Sequence, residues 1–144
     1  MINLTAYKEY WECLAKRVPL ITGVLPVTVD EAMAKRIATL KTGSVTLFVL
    51  PPAAESESKN IDSFKEGNEC VVFVMEKYDP QRRDTWSVLE SSQVVTEKLK
   101  SRMLDDLASG CSLMRFDVST LNTLPETQFF AGFAGWSVGF KIIT

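Results

Sequence analysis

Phe133-Ala134-Gly135-Trp136-Ser137-Val138-Gly139-Phe140-Lys141-Ile142 carries the clearest two-residue alternation in the chain. Trp136, Val138, Phe140 and Ile142 fall on one side and Ser137, Gly139 and Lys141 on the other, the pattern of a strand with one covered face. Gly132, Gly135 and Gly139 superficially resemble a phosphate-binding loop. No lysine follows in the required place, and the segment alternates as a strand where such a loop would open a helix. The glycines are therefore read as permitting a bulge or close packing beneath Trp136, with Trp136 and Phe140 in the core.

Working back from this strand, Leu113, Phe116 and Val118 mark another, followed by a turn through Asn122 and Pro125. Phe129 to Phe133 marks a further short strand. Phe130 lies on its other face, away from Phe129, and is a candidate contact residue. Glu69 to Glu76 has Cys70, Val72 and Val74 on one side and Val71, Phe73 and Met75 on the other. Apolar residues on both faces require both to be covered, one by helices of this chain and the other by a partner subunit. Ser44 to Leu50 is a strand ended by Pro51-Pro52.

The stretch from Ala53 to Gly67 is polar and includes Glu55-Ser56-Glu57-Ser58-Lys59-Asn60. It reads either as a flexible excursion or as an arm that orders against a partner, with Ile61 and Phe64 as anchors. Ile21 to Val27 is broken by Gly23 and Pro26 and reads as a connector.

Three segments have helical spacing. Leu4, Tyr7, Trp11, Leu14, Ala15 and Val18 form one stripe, with Asn3 as N-cap and Pro19 as the stop. Thr28-Val29-Asp30-Glu31 is a capping-box pattern that opens a short helix running to Lys41, with Met33, Ile37 and Leu40 inward. A long helix spans Thr85 to Ser109 with Gly110 after it, its inner stripe being Val88, Leu89, Val95, Leu99, Met103 and Leu107. Ser92 and Thr96 lie inside that stripe, Trp86 and Leu104 flank it, and Arg102 and Asp106 pair on the outside. The order α-α-β-β-α-β-β(-β) predicts one α+β domain over residues 1–144. Its sheet is mainly antiparallel, and the helices, N-terminal and long ones included, gather on one face.

Composition narrows the chemistry. The chain has 144 residues, a net charge of −2 and no histidine. Without histidine, Ser-His-Asp and Cys-His catalysis and His-type zinc sites are excluded within the chain. Near-neutral charge, with Lys35-Arg36 and Arg82-Arg83 isolated among acids, argues against nucleic-acid binding. Cys13, Cys70 and Cys111 have neither disulfide nor metal spacing, and no apolar run or leader-like start points to a membrane or secretion. The expectation is a cytoplasmic protein with no cofactor, no metal and no catalytic residue. Asp105 and Asp106 diverge around a helix and cannot share one reacting atom. Arg82-Arg83-Asp84 reads as a solvated turn with an N-cap, or as an anion grip and partner contact where helix N–H groups point outward.

With these elements in place, the chain resembles the small α+β subunits at the necks and tail ends of tailed bacteriophages, the tail-terminator and head–tail completion proteins. Element order carries the resemblance over most of the chain, and the segment Phe133 to Ile142 carries it locally. The additional short helix departs from the simplest pattern. The resemblance implies a non-enzymatic homo-oligomeric ring subunit, commonly of a hexamer, that works by contact with protein partners. Two rivals are a small acidic cytoplasmic binding module or chaperone acting as a dimer, and an enzyme using carboxylate or arginine chemistry.

Overall fold

The computed structural model describes residues 1–28, 31–111, 113, 115–127 and 132–144. Helix α1 (Leu4–Lys16) leads into strand β1 (Ile21–Pro26), helix α2 (Glu31–Ala38) and strand β2 (Val45–Val49). Strand β3 (Ala53–Ser56), a single 3-10 turn (Ile61–Ser63) and strand β4 (Glu66–Lys77) follow. Helix α3 (Thr85–Ala108) and strands β5 (Phe116–Glu126) and β6 (Phe133–Ile143) complete the order. The fold is α+β, as the patterning predicts.

One six-stranded sheet runs β1-β2-β4-β6-β5, with β3 also paired to β4. All pairings are antiparallel except β1 with β2, which are parallel because α2 crosses between them. The connector reading of Ile21 to Val27 is thus corrected: the segment is an edge strand, and edges tolerate Pro26. A second correction concerns Asn122 and Pro125. They pair with Gly139 and Trp136 inside β5, after an irregular stretch that begins at Asp117. Phe129, Phe130 and Ala131, in the short strand expected before Phe133, lie outside the described residues.

The main core lies between the sheet and α1 and α3. Tyr7, Trp11 and Leu14 from α1 meet Val95, Leu99 and Met103 from α3 over Leu47, Val72, Val74, Val138 and Phe140. Fully burying each such side chain contributes roughly 1.5–3 kcal/mol. Ser92 and Thr96 donate to the carbonyls of Val88 and Ser92 at 2.7 and 2.8 Å, which disposes of their hydroxyls inside the buried stripe. Asn3 and Asp84 cap α1 and α3 by accepting from Ala6 and Ser87. Leu4, by contrast, is exposed.

The helices do not all collect on one face. Met33, Ile37 and Leu40 of the α2 region pack with Leu25, Phe48, Met75 and Phe133 in a second cluster on the other side of the sheet. The residues predicted to need a partner subunit there are covered in part by α2 of the same chain. Gly135 makes the β4–β6 contact possible: a Cβ there would lie 1.9 Å from the Val74 carbonyl oxygen.

Candidate functional site

The polar stretch after Pro51-Pro52 is a built element. β2 pairs with Val72–Glu76 of β4 and β3 with Glu66–Glu69, so β2 and β3 follow one another along the same edge of β4. Together β3 and the start of β4 form a hairpin arm. Its end is tied by Glu57 N–H donating to Lys65 O at 2.9 Å and Ser58 Oγ donating to Ser63 O at 2.8 Å. Asn60 caps the turn by accepting from Ser63 N–H. Lys141 holds the base of the arm through Glu57 and Glu69, and Glu57 in particular raises the Lys141 pKa. Ile61 and Phe64 stand at the tip, 90% and 62% exposed. Their apolar side chains have no internal packing to explain them.

A second apolar feature was not legible in the chain. Trp86, Leu89, Glu90 and Gln93 on α3 face Pro125 of β5 and Trp136 of β6 across a groove of about 380 Å³. Trp136 is half-buried, and its indole Nε1 donates to Leu89 O at 3.0 Å, which fixes the ring as the groove floor. Trp86 is 71% exposed on the rim. An exposed tryptophan is unusual enough to have served as the signal, but spacing alone does not bring Pro125 beside it.

Arg82 and Arg83 separate in role. Arg82 is exposed and lies 3.8 Å from Asp79. Arg83, partly exposed, is engaged within the chain: its Nη1 donates to Glu76 Oε2 at 2.5 Å and its Nη2 to Ser87 O and Ser91 Oγ. Ser91 donates to the same carboxylate at 3.1 Å. This network clamps the start of α3 to the end of β4. It corrects the anion-grip reading for Arg83.

Asp106 also has a different partner from the one its helical spacing suggests. Arg17 Nη2 donates to it at 2.6 Å and Tyr10 OH at 2.7 Å, joining α1 to α3, while Arg102 lies 3.8 Å from Asp105. The bond from Arg17 holds the Asp106 carboxyl below its ordinary range, and burial raises the Tyr10 hydroxyl above its own. Beneath α1, burial pushes the Cys70 thiol up to about 11. Among the described residues, no three His, Cys, Asp or Glu side chains gather as a metal site requires. The exposed apolar features described here are the arm tip and the groove beside Trp86.

No family model matches the chain, and no curated protein matches it. Among the described residues, no helix is long and apolar enough to cross a membrane.

Proposed function

We propose that this chain is a non-enzymatic assembly subunit that works by protein contact and forms a ring, in the manner of phage tail-terminator and head–tail completion proteins. It would act in a host cytoplasm or in a virion. The observation that supports this reading is the hairpin arm, ordered by its own hydrogen bonds and presenting Ile61 and Phe64 to solvent. An ordered arm that carries two exposed apolar side chains at its tip suits a protein that works by contact. The apolar second face of the sheet no longer argues for a partner, because α2 covers part of it.

The test is solution mass by light scattering from low to high micromolar concentration, with negative-stain microscopy of the largest species. A closed ring of several copies is the expected result. A stable dimer that resists dilution would favour the binding-module reading instead. A monomer at every concentration removes the proposal's self-assembly.

A further inference from the structure

The arm tip and the Trp86 groove lie at opposite ends of the sheet. The tip precedes Glu66, the first residue of β4, whereas the groove floor Trp136 pairs with Val74 near the other end of the same strand. Eight residues of strand separate Glu66 from Val74, roughly 26 Å. A subunit therefore cannot place its own tip in its own groove. Any contact between them joins two copies, and in a head-to-tail pair one tip and one groove are left free.

The two surfaces are complementary in chemistry. The tip offers Ile61 and Phe64 flanked by Lys59, Asp62 and Lys65, an apolar pair with one net positive charge. The groove is mostly apolar, carries the Glu90 carboxylate and has no basic residue in its lining. Among the described residues Glu90 forms no ion pair, which leaves it to meet an incoming cation. Trp faces also attract cations, most strongly once water is excluded.

We infer that the hairpin tip of one copy seats in the groove of a second, with Phe64 against Trp86 and Trp136 and with Lys65 or Lys59 toward Glu90. This inference rests on the assembly reading and specifies its contact. Repeated head to tail, the contact closes as a ring or runs on as a filament, the form that the assembly reading requires; exchanged reciprocally between two copies it would give a two-fold dimer instead. An aromatic anchor in a mostly apolar groove is the arrangement in which single truncations have the largest effect.

The experiment uses the whole chain with Phe64→Asp as a tip-dead variant and Trp86→Arg as a groove-dead one. Both positions are exposed, so both variants should fold, and far-UV circular dichroism with a thermal melt checks that they do. Each variant alone should lose self-association by about 30-fold or more. Mixed in equal amounts, they should form a one-to-one complex through the one intact tip and the one intact groove. That rescue should appear in light scattering and as a blue shift of Trp86 emission. A second pair provides a charge readout: Glu90→Lys weakens assembly, and adding Lys59→Glu and Lys65→Glu to the same chain restores part of it. If the wild type assembles and neither Phe64→Asp nor Trp86→Arg changes its mass, the tip-in-groove contact is wrong while the assembly reading stands. A wild type that is monomeric throughout overturns both. Failure of the mixed variants to pair, with each folded and each monomeric alone, overturns the contact itself.

Discussion

Replacing Arg83 with alanine isolates what the clamp between β4 and α3 contributes. The Glu76 side chain is 8% exposed and the Arg83 side chain 36%. Without the guanidinium, the carboxylate keeps one hydroxyl donor, Ser91, in a setting that water barely reaches. Removing one member of a fully buried pair costs about 3–5 kcal/mol. Arg83 is partly open to solvent, so water reaches the vacated side and reduces the cost to about 2–3 kcal/mol. For a domain of this size each kcal/mol moves Tm by about 3–4 °C, which places the variant roughly 6–12 °C below wild type. Urea denaturation followed by circular dichroism measures the free energy, and calorimetry measures the melt. The double variant Glu76→Met with Arg83→Met removes both charges at similar bulk and should recover at least half of the loss. An Arg83→Ala protein within about 0.5 kcal/mol of wild type would refute the reasoning, since that is the range of an ordinary surface change. A double variant no better than the single would refute it as well.

Three further outcomes follow from the same geometry. Gly135→Ala forces a methyl group into the Val74 carbonyl, so the β4–β6 pairing should shift or fail, with a loss of about 3 kcal/mol or more or insoluble expression. Asp106 is depressed on folding, chiefly by Arg17, so its stabilisation is fully present above the unfolded pKa of about 3.9 and is lost as pH falls through the lower folded value. Asp106→Asn should therefore cost about 1 kcal/mol at pH 7 and flatten the acid limb of a stability–pH curve below about pH 4. Exposed Cys13 should react with an aromatic disulfide reagent in the folded protein, whereas Cys70, buried and raised to about 11, should react only on unfolding.

Long periodic segments were legible from the chain and short or edge-bound ones were not. α1, α3, β4 and β6 announce themselves because Trp11, Leu99, Val72 and Phe140 recur at the period of the element that buries them. β1 was missed because Gly23 and Pro26 weaken its local signal, and its pairing with β2 is imposed from outside the segment. Pro125 misled for a related reason. Proline in an interior strand removes a ladder bond, but β5 is an edge and tolerates it. β3 looked like a loop because it is mostly exposed and so carries little apolar alternation. For the candidate surface, Ile61 and Phe64 were found as isolated apolar residues in a polar stretch. The groove was not, since Trp86, Pro125 and Trp136 meet only once the sheet order is known. Spacing paired Arg102 with Asp106 across one helical turn, and the true partner, Arg17, is 89 residues away.

The place of β6 in the sheet sets the order in which the molecule can be assembled during synthesis. Among the described strands it comes after all the others in the chain, yet it lies between β4 and β5 and pairs with both. A nascent chain that has emerged only as far as β5 has no strand for β5 to join, and one edge of β4 is bare along nearly its whole length. α3 is finished by then, but part of the sheet beneath it, including Val138 and Phe140, is still missing. The chain must therefore stay soluble with its apolar stripe uncovered until β6 arrives. A ribosome-stalled fragment ending before Phe133 should accordingly remain open to protease along β4 and α3, and protection should arrive in one step when β6 is released.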